Sequence, residues 1–150
     1  MTNTDLVSVD NLSVSYDGVK VVKEVSFTLE RNEIFAIIGE SGSGKSTVAK
    51  ALLGLLEQAD LTGAIHYGGD NLLTYGPKEW QQVRGVDIAM IYQNPGNYLN
   101  SFKRIGEQMK VILASHGKPY DEGDILTLLE AVSLPRGKAL LDSYPFQLSG

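Results

Sequence analysis

The sequence predicts an α/β fold, and three stretches carry the prediction. Residues 6–30, "LVSVDNLSVSYDGVKVVKEVSFTLE", alternate apolar and polar side chains on either side of an Asp17-Gly18 turn pair. A short apolar run, "EIFAIIG", then leads through a glycine-rich loop into "KSTVAKALLGLL", where the apolar period changes from two to about 3.6. From about residue 102 onward the spacing is helical throughout.

Taken in order, the first segment reads as a β-meander with a hairpin near residue 17. "EIFAIIG" has no polar alternation, which is the pattern of a strand buried on both faces. After the glycine loop and its helix, "TGAIHYGG" reads as a further strand between turn residues, and "VDIAMIY" as a second buried strand. "QNPGNYLN" is a joint. In "SFKRIGEQMKVILAS" the residues Ile105, Met109, Ile112 and Leu113 share one helical face, and "DILTLLEAV" is a second short helix. A β-rich part with the phosphate loop over residues 1–96 and a helical part over 97–150 are the expected divisions. There is no internal repeat.

Composition narrows the function. A chain of 150 residues with 43% hydrophobic and 21% charged residues is one globular domain long. Its formal charge of −5 argues against a surface whose main task is to neutralise a nucleic-acid backbone. With no cysteine, disulfides, thiolate catalysis and cysteine-ligated metals are excluded, and with His66 and His116 as the only histidines a multi-histidine metal site is not expected. "MTNTDLVSVDN" lacks the pattern of a secretory signal. No apolar run approaches the ~20 residues of a membrane-spanning helix, so any membrane role is expected to be peripheral.

The chemistry lies in "GESGSGKST". Gly39, Glu40, Ser41, Gly42, Ser43, Gly44, Lys45, Ser46 and Thr47 fit G-x-x-x-x-G-K-[ST], between an expected strand and an expected helix. The glycines let the backbone approach phosphate oxygens where a Cβ would obstruct it. Backbone amides and the helix N-terminus face the anion, Lys45 reaches the β- and γ-phosphates, and Ser46 supplies a ligand to Mg²⁺. ATP with Mg²⁺ is the expected ligand, on a P-loop NTPase core.

Beyond the loop, "LSVSYDG", "IYQNPGNYLN", "IGEQM" and "YPFQLSG" occur in an order and spacing that resemble the ATP-binding subunits of ABC transporters, the dipeptide, oligopeptide and nickel uptake group above all. The resemblance runs over nearly the whole chain. It implies an ABC-type core with an antiparallel β subdomain and the start of a helical subdomain. By that likeness Tyr16 stacks on adenine, although alone it also reads as an ordinary strand aromatic before a turn. Gln93 matches the glutamine that contacts Mg²⁺ or the attacking water, with a plain turn before Asn94-Pro95-Gly96 as the alternative. Leu148, Ser149 and Gly150 match the opening of the LSGGQ signature, which meets the γ-phosphate bound by an opposing subunit. The implied partners are transmembrane permease subunits, a second ATP-binding subunit and, indirectly, a substrate-binding protein. The implied place is the cytoplasmic face of the inner membrane.

A P-loop ATPase also needs an apolar strand ending in an acid for Mg²⁺, with a Glu beside it. "ILTLLE" has helical spacing, which makes Glu130 a solvated helix residue, and "KALLDS" has too few apolar residues before Asp142. Those acids and the family's switch histidine are expected beyond residue 150, and the 150 residues alone are expected not to turn ATP over. An ABC-type ATPase acting on nucleic acid or the ribosome, and a nucleotide-binding module without turnover, are the other readings. "NPGNYLNSF" departs from the group's usual run after the glutamine, and the cargo is not legible.

Overall fold

The computed structural model describes residues 5–134 and 137–148. It divides into two compact units, Met1–Ala89 and Met90–Gly150.

The first unit is built on an antiparallel sheet of order β2-β1-β3-β4, with β1 Asp5–Tyr16, β2 Val19–Glu30, β3 Asp60–Tyr67 and β4 Asp70–Asn71. Tyr16 pairs with Val19, so the hairpin closes on Asp17-Gly18 where the sequence places it. Both long strands carry a bulge. Asn11 and Glu24 have positive φ, 48° and 50°, and the pairing skips between Val9 and Leu12. The skip keeps Val9 and Leu12 buried although they are three apart in a period-two strand. The Asn11 N–H, freed from the ladder, donates to Ser26 Oγ at 2.8 Å, and the Glu24 N–H donates to Ser13 Oγ at 3.0 Å.

Over this sheet lies α1, Lys45–Ala51, and beyond β4 come a 3₁₀ turn at Leu72–Thr74 and α2, Pro77–Val83. Leu12, Ile65 and Leu72 are fully buried together with Val48, Ala51 and Trp80. Burial of each large apolar side chain stabilises by about 1.5–3 kcal/mol. The Tyr75 hydroxyl donates to Asp70 at 3.0 Å, and its ring meets Trp80 edge to face at 5.7 Å. Desolvation and that carboxylate push the Tyr75 phenol above its ordinary pKa. The helix α2 has local signals of its own: Pro77 at its first position, and Glu79 accepting the Gly76 N–H at 3.0 Å.

The second unit holds α3 Ile105–Ser115, α4 Glu122–Ala131 and α5 Gly137–Leu141. Asp121 caps α4 by accepting from the Asp124 N–H at 3.0 Å, and Glu107 accepts from the Arg104 N–H at 3.0 Å at the start of α3. Gln108 ties down the preceding loop, accepting from the Asn100 N–H at 2.8 Å and donating to the Lys103 carbonyl at 2.9 Å. Ile125, Leu129, Leu140 and Leu141 form the core, with Met109, Leu113 and Leu148 packed against it.

Two expected strands are absent. Residues 33–39 and 86–92 form no ladder, and Ile34, Ile38 and Ile91 are more than nine-tenths exposed. A strand exists only through a hydrogen-bonded neighbour, and among the described residues the first run has none and the second only the isolated bridge of Ile88 to Arg84; Phe35 is held instead by stacking on Phe27 at 4.9 Å. The helical faces are also narrower than their spacing suggests, since Ile112 and Leu128 are exposed while Met109 and Leu129 pack. Glu130 is exposed on α4, and Asp142 pairs with Arg104 at 3.5 Å.

Candidate nucleotide-binding site

Residues 39–44 form a loop, exposed up to Ser43, that closes on the side chain of Lys45 at the start of α1. Its Nζ donates to the carbonyls of Gly39 at 2.8 Å and Glu40 at 2.6 Å, and lies 3.4 Å from Ser43 Oγ. The Ser43 N–H completes the turn by donating to the Glu40 carbonyl at 3.2 Å. The ammonium therefore sits at the centre of the loop, bound by weakly charged acceptors that an anion can outcompete.

The loop passes into α1 at Gly44, which has φ 93° and serves as the N-cap without any side-chain cap. A Cβ at Gly44 would meet Val22 Cγ2 at 3.0 Å and the Val21 carbonyl at 3.1 Å, so glycine is required both by conformation and by the close approach of β2. The first helical bond runs from the Val48 N–H to the Gly44 carbonyl at 2.9 Å. The earlier amides of the turn are the donors that a helix start leaves without intrahelical partners.

A cavity of about 240 Å³ opens on this turn, lined by Tyr16, Val21, Gly42, Gly44, Lys45, Ser46 and Thr47. The topology explains why Tyr16 is there: it is the last residue of β1, and the hairpin returns at Val19 to carry Val21 and Val22 beneath the loop. An aromatic face, a cation, the backbone amides of a helix start and the Ser46 hydroxyl thus border one space. This donor set fits a nucleoside polyphosphate, and one hydroxyl beside phosphate oxygens suits Mg²⁺, which takes few protein ligands.

A larger apolar cleft of about 590 Å³ adjoins the loop, walled by β2 and by residues 35–39. Gln93 lies exposed in the second unit, at the bend before the 3₁₀ turn Pro95–Tyr98. Nearby, Tyr92 and Tyr98 stack at 3.7 Å. Leu148 is half-buried against the core of the second unit, and Ser149 and Gly150 lie outside the described residues. Val21 was not legible as a site element, because it reaches the cavity through the strand pairing of the hairpin, which the linear pattern does not display. Arg84 donates from Nε to the Leu53 carbonyl at 2.7 Å and from Nη2 to the Gly54 carbonyl at 2.6 Å, beyond the far end of α1.

Comparison with known proteins shows the family and the fold. The chain is 38% identical over its whole length to the dipeptide transport ATP-binding protein DppD of Lactococcus lactis, 46% of which it covers. It is 38% identical over 87% of its length to the oligopeptide transport ATP-binding protein OppD of the same species, covering 40% of that protein. The chain spans about half the length of the curated relatives it matches. Among solved structures, an ATP-binding subunit of an ABC transporter superposes with a TM-score of 0.66 at 28% identity, over 96% of this chain and 56% of the other. A bacterial Atm1-family ABC exporter shares the fold, with a TM-score of 0.73 at 20% identity over the full chain and 26% of its own. The ABC transporter family profile matches residues 22–150, and the chain belongs to that family.

Proposed function

We propose that the protein is the ATP-binding subunit of an ABC importer that takes up peptides or a related small solute. The observation that carries this reading is the Lys45-centred loop opening on a cavity shared with Tyr16. Tyr16 offers its ring to the base, and the amides of Gly44 to Thr47 and the Lys45 ammonium hold the phosphates. Bound nucleotide draws Nζ away from the Gly39 and Glu40 carbonyls, exchanging neutral acceptors for charged ones. Ser46 provides the protein oxygen for Mg²⁺, with Gln93 as a further contact to the metal or to water. The names of the peptide-transport relatives support the cargo class.

Residues 97–150 carry the surface for the transmembrane permease subunits, and Leu148, Ser149 and Gly150 serve a second ATP-binding subunit. A substrate-binding protein takes part indirectly. The reading puts the subunit peripherally at the cytoplasmic face of the membrane; among the described residues no helix is long and apolar enough to cross one. By this reading the 150 residues alone bind ATP weakly at best and do not turn it over; Glu130 is exposed on α4 and Asp142 pairs with Arg104, and neither is assigned as a catalytic acid.

Titration of the chain with Mg-ATP tests the proposal. Lys45→Ala abolishes measurable binding in this account, and undiminished affinity in that variant overturns it.

A further inference from the structure

We infer that Arg84 is a positioning residue for the phosphate loop: it latches the far end of α1 and so holds the loop at the near end in register. The inference rests on the nucleotide reading of residues 39–47.

The helix α1 has only seven residues, too few to be stable without tertiary support, and about 10 Å of rise separates its two ends. Its near end is set by Gly44 packed against Val21 and Val22. Past Ala51 the chain turns tightly, with Gly54 N–H donating to the Ala51 carbonyl at 3.0 Å and Leu55 N–H to the Lys50 carbonyl at 2.9 Å. The carbonyls of Leu53 and Gly54 emerge from this turn and both accept from the Arg84 guanidinium. A planar fork fixes two successive carbonyls in position and direction, and its positive charge lies at the negative end of the helix.

The anchor is itself rigid. Arg84 ends α2, its N–H donating to the Trp80 carbonyl at 2.9 Å, and its guanidinium lies 4.6 Å over the Trp80 ring. The indole also packs against Gly54, which has φ 59° and where any Cβ would overlap the ring. Val83 secures the following turn by accepting the amides of Asp87 at 2.9 Å and Ile88 at 3.1 Å. Arg84, Trp80 and Gly54 thus form one joint between α1 and α2. Without the fork α1 can tilt, and its first-turn amides lose the alignment that hydrogen bonding to a phosphate demands.

The test compares the wild-type chain with Arg84→Met, which keeps the stem over Trp80, and Arg84→Lys, which restores one of the two hydrogen bonds. Calorimetric titration with Mg-ATP gives Kd and stoichiometry separately, and magnesium pyrophosphate competing with a fluorescent ATP analogue isolates the phosphate contacts. The expected result is a rise in Kd of about tenfold for both ligands in Arg84→Met at unchanged stoichiometry, with Arg84→Lys in between. A lower melting temperature and fewer competent molecules with wild-type Kd would mean that Arg84 only stabilises the fold, and overturns the inference. If Arg84→Met does not fold, a wild-type Kd in Arg84→Lys overturns it equally. Absence of binding by the wild-type chain overturns the nucleotide reading and this inference together.

Discussion

At the scale of single residues, the loop is a compromise between the space a ligand needs and the space the sheet allows. Gly44 shows this most directly, because its backbone is left-handed and its missing side chain is what lets β2 run close beneath. Replacing it by alanine adds backbone strain to a contact at 3.0 Å with Val22 and is expected to destabilise the chain by about 1–3 kcal/mol. Urea unfolding of Gly44→Ala measures that loss, and a wild-type midpoint would show that the loop adapts freely. The loop's motif was legible in the sequence, because its glycines, lysine and hydroxyls stand at fixed spacing between a turn and a helix start. The position of Lys45 between two backbone carbonyls was not, since that depends on how the chain folds around its own ammonium.

Elements differed in legibility according to whether their determinants are local. The hairpin at Asp17-Gly18 and the helices α3 and α4 carry their turn and capping residues in the adjacent sequence, and those readings match the structure, whereas the five-residue α5 was not legible as a helix. The bulges at Asn11 and Glu24 were missed although a trace was present: the apolar positions step by three between Val9 and Leu12 and between Val22 and Val25. The hydroxyls of Ser13 and Ser26 stand where the bulges leave amides without partners. Ser13 is buried, so Ser13→Ala strands the Glu24 N–H and is expected to cost about 1–2 kcal/mol, with the denaturant midpoint as the readout. A cost near zero would mean that water replaces the serine. The runs at residues 33–39 and 86–92 are the opposite case: their composition is that of buried strands, but a ladder needs a partner that no local pattern supplies.

At the scale of the whole molecule, large apolar side chains of both units stand in solvent among the described residues. Ile34, Ile38, Ile91 and Phe102 are each more than nine-tenths exposed. The isolated chain is expected to self-associate at micromolar concentration, and lysine at positions 34 and 38 is expected to reduce the scattering; a monodisperse wild-type chain would contradict this. Family membership and the phosphate loop agree across scales, from a motif to a hairpin to a shared cavity. The central claim is that this cavity receives nucleotide through the loop amides. Amide hydrogen exchange with and without saturating Mg-ATP tests it most directly. The account predicts slowed exchange concentrated between Gly42 and Val48; unchanged exchange there, or protection confined to other segments, would contradict it.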